Sequence, residues 1–114
     1  MKFSYEGIGQ WAATFACDQV NLGEMVKISG NGTVSACADG DDFCGMVLTV
    51  GRDGSACAVA LGGMVTVGYT GTAPALGWTA LAADGNGGVK SASGGRNHLV
   101  VEVDTSGSTV TFAL

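Results

Sequence analysis

"EMVKISGNGTVSACA" (Glu24 to Ala38) sets the period of this chain. Met25, Lys27 and Ser29 alternate with Val26 and Ile28, the two-residue repeat of a β-strand. Gly30, Asn31 and Gly32 follow, residue types that accept the left-handed backbone of a tight turn. "TVSACA" then returns, so the stretch from Met25 to Ala38 reads as a hairpin. The same grammar recurs on both sides. "AATFAC" precedes it, and "CGMVLTV" and "SACAVAL" follow, joined by the turn "GRDG". In "SACAVAL" one face carries Cys57, Val59 and Leu61 and the other carries Ala56, Ala58 and Ala60, a flat surface suited to close approach of another sheet or a second subunit.

Gly62 and Gly63 bend the chain into "MVTVGY", and "TGTAPALG" is a loop holding the only proline, Pro74. "WTALAADGNGG", "VKSAS", "HLVVEVD" and "TVTFAL" supply further strands between glycine-rich turns, with Val110, Phe112 and Leu114 alternating at the end. About nine or ten short strands, with turns every ~8–12 residues, predict an all-β barrel or sandwich. Composition agrees. Twenty glycines and one proline, with few Glu, Lys, Gln or Arg, disfavour long helices.

With 114 residues the chain makes one domain with a modest core, a size that often gains stability by oligomerising. The net charge is −5, and the bases Lys2, Lys27, Arg52, Lys90 and Arg96 are scattered singly, so no basic stripe is offered to nucleic acid. No apolar run is long enough to span a membrane, and the first residues lack the apolar core of a signal peptide. Cys17, Cys37, Cys44 and Cys57 match no paired zinc spacing. Three disulfide pairings are open to them, but the reading preferred here is small buried hydrophobes in a reducing cytosol.

"ADGDDFCGMV" (Ala38 to Val47) is the stretch most suggestive of chemistry. A calcium loop starting at Asp39 would need glycine sixth and glutamate twelfth, where Cys44 and Val50 stand, so the aspartates read as a wet turn. Cys44 lies among acids, which suppress a thiolate, and the only imidazole, His98, is remote in sequence. His98 is expected at the surface, alternating with a buried Leu99. There is no G-x-S-x-G motif, and no glycine-rich run opens a helix to cradle phosphate. Glu102 and Asp104 share one strand face as solvated acids. No catalytic residue, metal ligand or cofactor is therefore expected, and the chain is not read as an enzyme. Trp78 is expected to be buried as a plug at one end of a barrel; exposed, it would offer a stacking platform for sugar, with Tyr69 as a second.

"MKFSYEGIGQW" differs from the rest, with large side chains Phe3, Tyr5, Ile8 and Trp11 separated by glycines. Residues 1–11 read equally as a flexible arm carrying aromatic anchors or as a first strand; residues 12–114 form the β domain.

The ordered pieces Gly23 to Val26, Gly45 to Val47, Gly63 to Tyr69, Gly77 to Leu81 and Asp84 to Val89 resemble the small decoration, or cement, proteins of tailed bacteriophage heads. The closing strand pair, Leu99 to Val103 and Thr109 to Leu114, completes the pattern, which covers roughly residues 12–114. The resemblance implies a small β-barrel or β-clip-like domain that forms a homotrimer, binds the major capsid protein and braces the capsid exterior. It also implies manufacture in the bacterial cytoplasm and an N-terminal arm, here Phe3, Tyr5, Ile8 and Trp11, added to a capsid sheet edge. The cysteines and the N-terminal segment stand outside the shared pattern. Rival readings are a carbohydrate-binding or adhesive module and another virion part such as a head–tail joining protein.

Overall fold

The computed structural model describes residues 9–114. They form ten β-strands: β1 (Trp11–Cys17), β2 (Met25–Gly30), β3 (Thr33–Ala36), β4 (Gly45–Val50), β5 (Ala56–Gly62), β6 (Met64–Gly68), β7 (Gly77–Ala83), β8 (Val89–Ser91), β9 (Arg96–Asp104) and β10 (Thr109–Ala113). The described residues contain no helix. The protein is all-β, as the strand-and-turn grammar predicts.

The first five strands close into a barrel in the order β1-β3-β2-β4-β5, with β5 returning to pair with β1. The last five form a sheet in the order β6-β10-β9-β7-β8. A single bridge from Tyr69 to Val89 links the two ends of this sheet, so it curls toward closure. Turn chemistry fixes the hairpins. Asp53 accepts the amide and hydroxyl of Ser55, and Asp104 accepts the amides of Ser106 and Gly107, each carboxylate standing in for a turn of backbone.

Two apolar clusters fill the two halves. Val20, Val26, Val34, Val47, Val59, Cys17 and Cys57 pack inside the barrel. Val65, Val67, Leu81, Ala83, Val89, Val100, Val110 and Phe112 line the inner face of the sheet, joined from the first half by Met25, Cys37 and Phe43. Strand β2 serves both: adjacent Met25 and Val26 are each fully buried, one in each cluster. Ile28, further along β2, is exposed.

Close backbone approach explains one conspicuous glycine. A Cβ on Gly45 would lie 2.1 Å from the Ala60 carbonyl oxygen and 2.8 Å from Val59 Cγ1, so only glycine permits the β4–β5 seam to close there.

Trp11 opens β1 and pairs across from Gly62, its indole lying over that glycine. The anchors Phe3, Tyr5 and Ile8 lie outside the described residues. Two expectations fail in the sheet. His98 is buried at 2% exposure and Leu99 is half-exposed, the reverse of the sequence reading. The cause is register: His98 shares its face with Val100, which pairs with Phe112. A bulge at Val101 then shifts the strand so that Val103 turns back to the core. Trp78 is 74% exposed rather than buried, because Leu81, three residues on, takes the inner face and period two sends Trp78 outward.

Candidate functional site

The aspartate-rich stretch is a strap joining the two halves. Asp41 accepts the Ala38 amide at 2.9 Å and pairs with Lys27 of β2 at 2.6 Å. Asp39 pairs with Lys90 of β8 at 2.7 Å. The backbone is stitched to β7: the Gly40 amide donates to the Ala83 carbonyl, and the Ala83 amide to that of Asp41. The Lys27 ammonium, as hydrogen-bond donor, holds the Asp41 carboxyl below its ordinary range, and Asp41 raises Lys27 in return. The acids are engaged as turn and ion-pair groups, as the turn reading expects.

Phe43 carries the strap into the core. Its ring stacks on the His98 imidazole with centroids 5.0 Å apart and meets Phe112 at 5.8 Å, while His98 meets Phe112 edge-on at 5.2 Å. His98 Nδ1 donates to the Ala113 carbonyl at 2.9 Å, which assigns the proton to that nitrogen. Burial, foremost, lowers the His98 pKa from its ordinary value. Burial likewise pushes the Cys44 thiol up and lifts Cys37 to about 11. Neither sulfur is an activated nucleophile at neutral pH.

The surface most suited to binding lies on the outer face of the sheet. Trp78 stands directly across from Leu99, and Ala113 directly across from Met64. The pairing of Phe112 with Val100 brings these two pairs together into one apolar row across β7, β9, β10 and β6. Beside it lies a groove of about 470 Å³ lined by Pro74, Leu76, Val101, Glu102, Val103 and Thr105, among others. Leu76 is 68% exposed on its rim. Large apolar side chains left in water side by side mark an interaction surface. Sequence reading missed this groove because it joins the proline loop to a strand more than twenty residues on. Its one local signal was the Trp-after-Gly at Gly77, whose positive φ of 89° starts β7 with Trp78 turned out.

The alanine face divides. Ala56 and Ala58 are half-buried on the outer wall of the barrel, opposite Ala16 and Thr14 of β1. Ala60 is fully enclosed within the chain, with Ala12 across from it on one side and Met46 on the other, so it has no surface left to offer a partner. Tyr69 is half-buried against the sheet core and is no free platform. Among the described residues no three His, Cys, Asp or Glu side chains converge as metal ligands, and no helix is long and apolar enough to cross a membrane.

No protein-family model matches the chain, and no curated protein matches its sequence.

Proposed function

We propose that the chain is a virion protein of a tailed phage or prophage, made in the bacterial cytoplasm and working as a trimer on the capsid exterior. Its work is binding and bracing. The observation that carries this reading is the exposed Trp78 and Leu76, set beside half-buried Leu99 and Met64 and a groove on the five-stranded sheet. An aromatic anchor on a rigid strand binds at little entropic cost. The alanine wall at Ala56 and Ala58 supports close approach of a neighbouring subunit, and three linked copies multiply weak single contacts. The order of glycine and valine pieces, which resembles that of head decoration proteins, supports the choice of partner.

The test is sedimentation of the purified protein, alone and with empty shells assembled from a tailed-phage major capsid protein. A trimer that co-sediments with shells is expected, and Trp78→Ala should weaken the co-sedimentation at least tenfold. A monomer that ignores the shells would overturn the proposal.

Trp78 also favours a second reading, a carbohydrate-binding module, because a solvent-facing indole stacks on sugar rings. Glycan-array binding that vanishes in Trp78→Ala, with no binding to shells, would select it.

A further inference from the structure

The tripeptide Gly-Asn-Gly occurs twice, at residues 30–32 and 85–87, so Asn31 and Asn86 share the same local chemistry. The fold treats them differently. Asn31 and Gly32 form the exposed tip of the β2–β3 hairpin, with Gly32 at a φ of 60°. A Cβ on Gly32 would meet nothing within 4 Å, so the tip stands clear of the rest of the chain. The Thr33 hydroxyl donates to the Asn31 backbone carbonyl at 3.0 Å, but among the described residues no hydrogen bond holds the Asn31 side-chain amide or the Gly32 N–H. The second copy is built into the structure. Asp84 Oδ1 accepts the Asn86 amide at 2.7 Å and the Gly88 amide at 3.1 Å. The Gly87 carbonyl accepts the Met25 amide at 3.0 Å. Gly85 lies against Asp39 and Gly87 against Glu24, so both flanking glycines are packed.

We propose that Asn31 is a site of spontaneous backbone modification: its side chain cyclises onto the Gly32 amide and reopens as aspartate or isoaspartate, while the fold withholds Asn86 from the same reaction. Cyclisation needs the side-chain carbon to swing onto the next residue's nitrogen. An untethered tip allows that swing, and a loop pinned through its backbone resists it. The Gly32 nitrogen, after losing its proton to solvent base, attacks Asn31 Cγ. The N–Cγ bond forms, the Cγ–Nδ2 bond breaks, and ammonia leaves with a proton from water. A water molecule then adds to either carbonyl of the cyclic imide and breaks that C–N bond. One water is consumed and one ammonia released, with no change of oxidation state. Opening at Cγ leaves aspartate; opening at the backbone carbonyl routes the main chain through Cβ and Cγ, which lengthens it by one methylene. The lengthened tip adjoins the β1–β3 seam, where the Gly32 carbonyl accepts the Ala16 amide at 2.9 Å. That seam is short, pairing Ala16 with Thr33 and Cys17 with Val34, so isoaspartate at position 31 loosens the barrel there. The inference stands independently of the proposed function.

The test incubates the full chain at mildly alkaline pH and physiological temperature, in buffer and in concentrated urea, with tryptic peptide mapping over time. Cleavage after Lys27, Arg52 and Lys90 puts the two asparagines on separate peptides, Ile28 to Arg52 and Asp53 to Lys90. In buffer the first peptide should gain about one dalton and split into aspartyl and isoaspartyl forms, at least tenfold faster than the second. In urea the two rates should converge, because the tripeptides are the same. Asn31→Gln should remove the conversion of the first peptide, and Asn86→Gln should leave it. Amide exchange at Ala16 should accelerate in the isoaspartyl chain. An Asn31 peptide that stays unconverted, conversion of Asn86 at an equal or greater rate, a rate ratio that persists in urea, or unchanged exchange at Ala16 would each overturn the proposal.

Discussion

Replacing Phe43 with alanine tests whether the strap holds the two halves together. The ring is 5% exposed and sits at the centre of the strap's hold on the sheet. Truncating a buried phenylalanine costs about 3–5 kcal/mol through lost transfer energy and the cavity left behind. The stacked contact with His98 at 5.0 Å and the tilted one with Phe112 at 5.8 Å place this site in the upper part of that range, at about 4 kcal/mol. A domain of this kind has only about 5–15 kcal/mol in total, so the variant should be folded but fragile. Urea unfolding followed by far-ultraviolet circular dichroism is the appropriate assay. Fluorescence is a poor reporter, because Trp11 and Trp78 are already 59% and 74% exposed in the native state. Phe43→Leu keeps most of the burial and loses the stacking, so it should cost about 1–2 kcal/mol. Amide exchange at Gly40 and Ala83, whose backbone bonds tie the strap to β7, should accelerate in Phe43→Ala ahead of the barrel amides. A loss below about 1 kcal/mol in Phe43→Ala, with unaltered exchange at those amides, would refute the reasoning.

Stability should also fall on mild acidification, because the native His98 pKa lies below its ordinary 6.5. Above that value the imidazole is neutral in both states; as pH drops through it the unfolded chain takes up the proton first, and stability is lost until the lowered native value is reached. The groups acting on His98 have opposing signs, Arg96 reinforcing the shift and Asp42 resisting it. Urea midpoints at about pH 7.5 and about pH 5 should therefore differ in the wild type, and the difference should shrink in His98→Gln. Asp41 acts in a separate window: its lowered pKa gives stability above 3.8 that is lost only as pH falls further. Gly45→Ala should cost about 3 kcal/mol because its methyl meets the Ala60 backbone, as read from the urea midpoint. Gly62→Ala meets the exposed Trp11 indole first, a side chain that can swing aside, so its cost should stay below about 1 kcal/mol. Asp84→Ala removes the buried acceptor of the Asn86 and Gly88 amides and should lower stability by about 2 kcal/mol in the same assay.

Much of the strand content was legible because it is written in near neighbours. The alternation in Met25 to Ser35 and the glycine turns, "GRDG" among them, each depend on residues within a few positions of one another, and the structure keeps them as strands or turns. The aspartates of the strap read correctly as a turn for the same reason. That reading did not extend to Phe43, whose partners His98 and Phe112 lie on distant strands.

What the sequence by itself determined is the local vocabulary: about nine or ten short strands, of which the structure shows ten among the described residues, their turns, and a composition that disfavours long helices. Only the tertiary structure decided which face of each strand meets the core. A strand has two faces of equal local standing, and pairing with its neighbours chooses between them. The bulge at Val101 put His98 inside and Leu99 half outside, and the fixed position of Leu81 sent Trp78 into solvent. The binding surface exists because of those choices: its residues come from the proline loop and from four strands, and only their register sets them side by side.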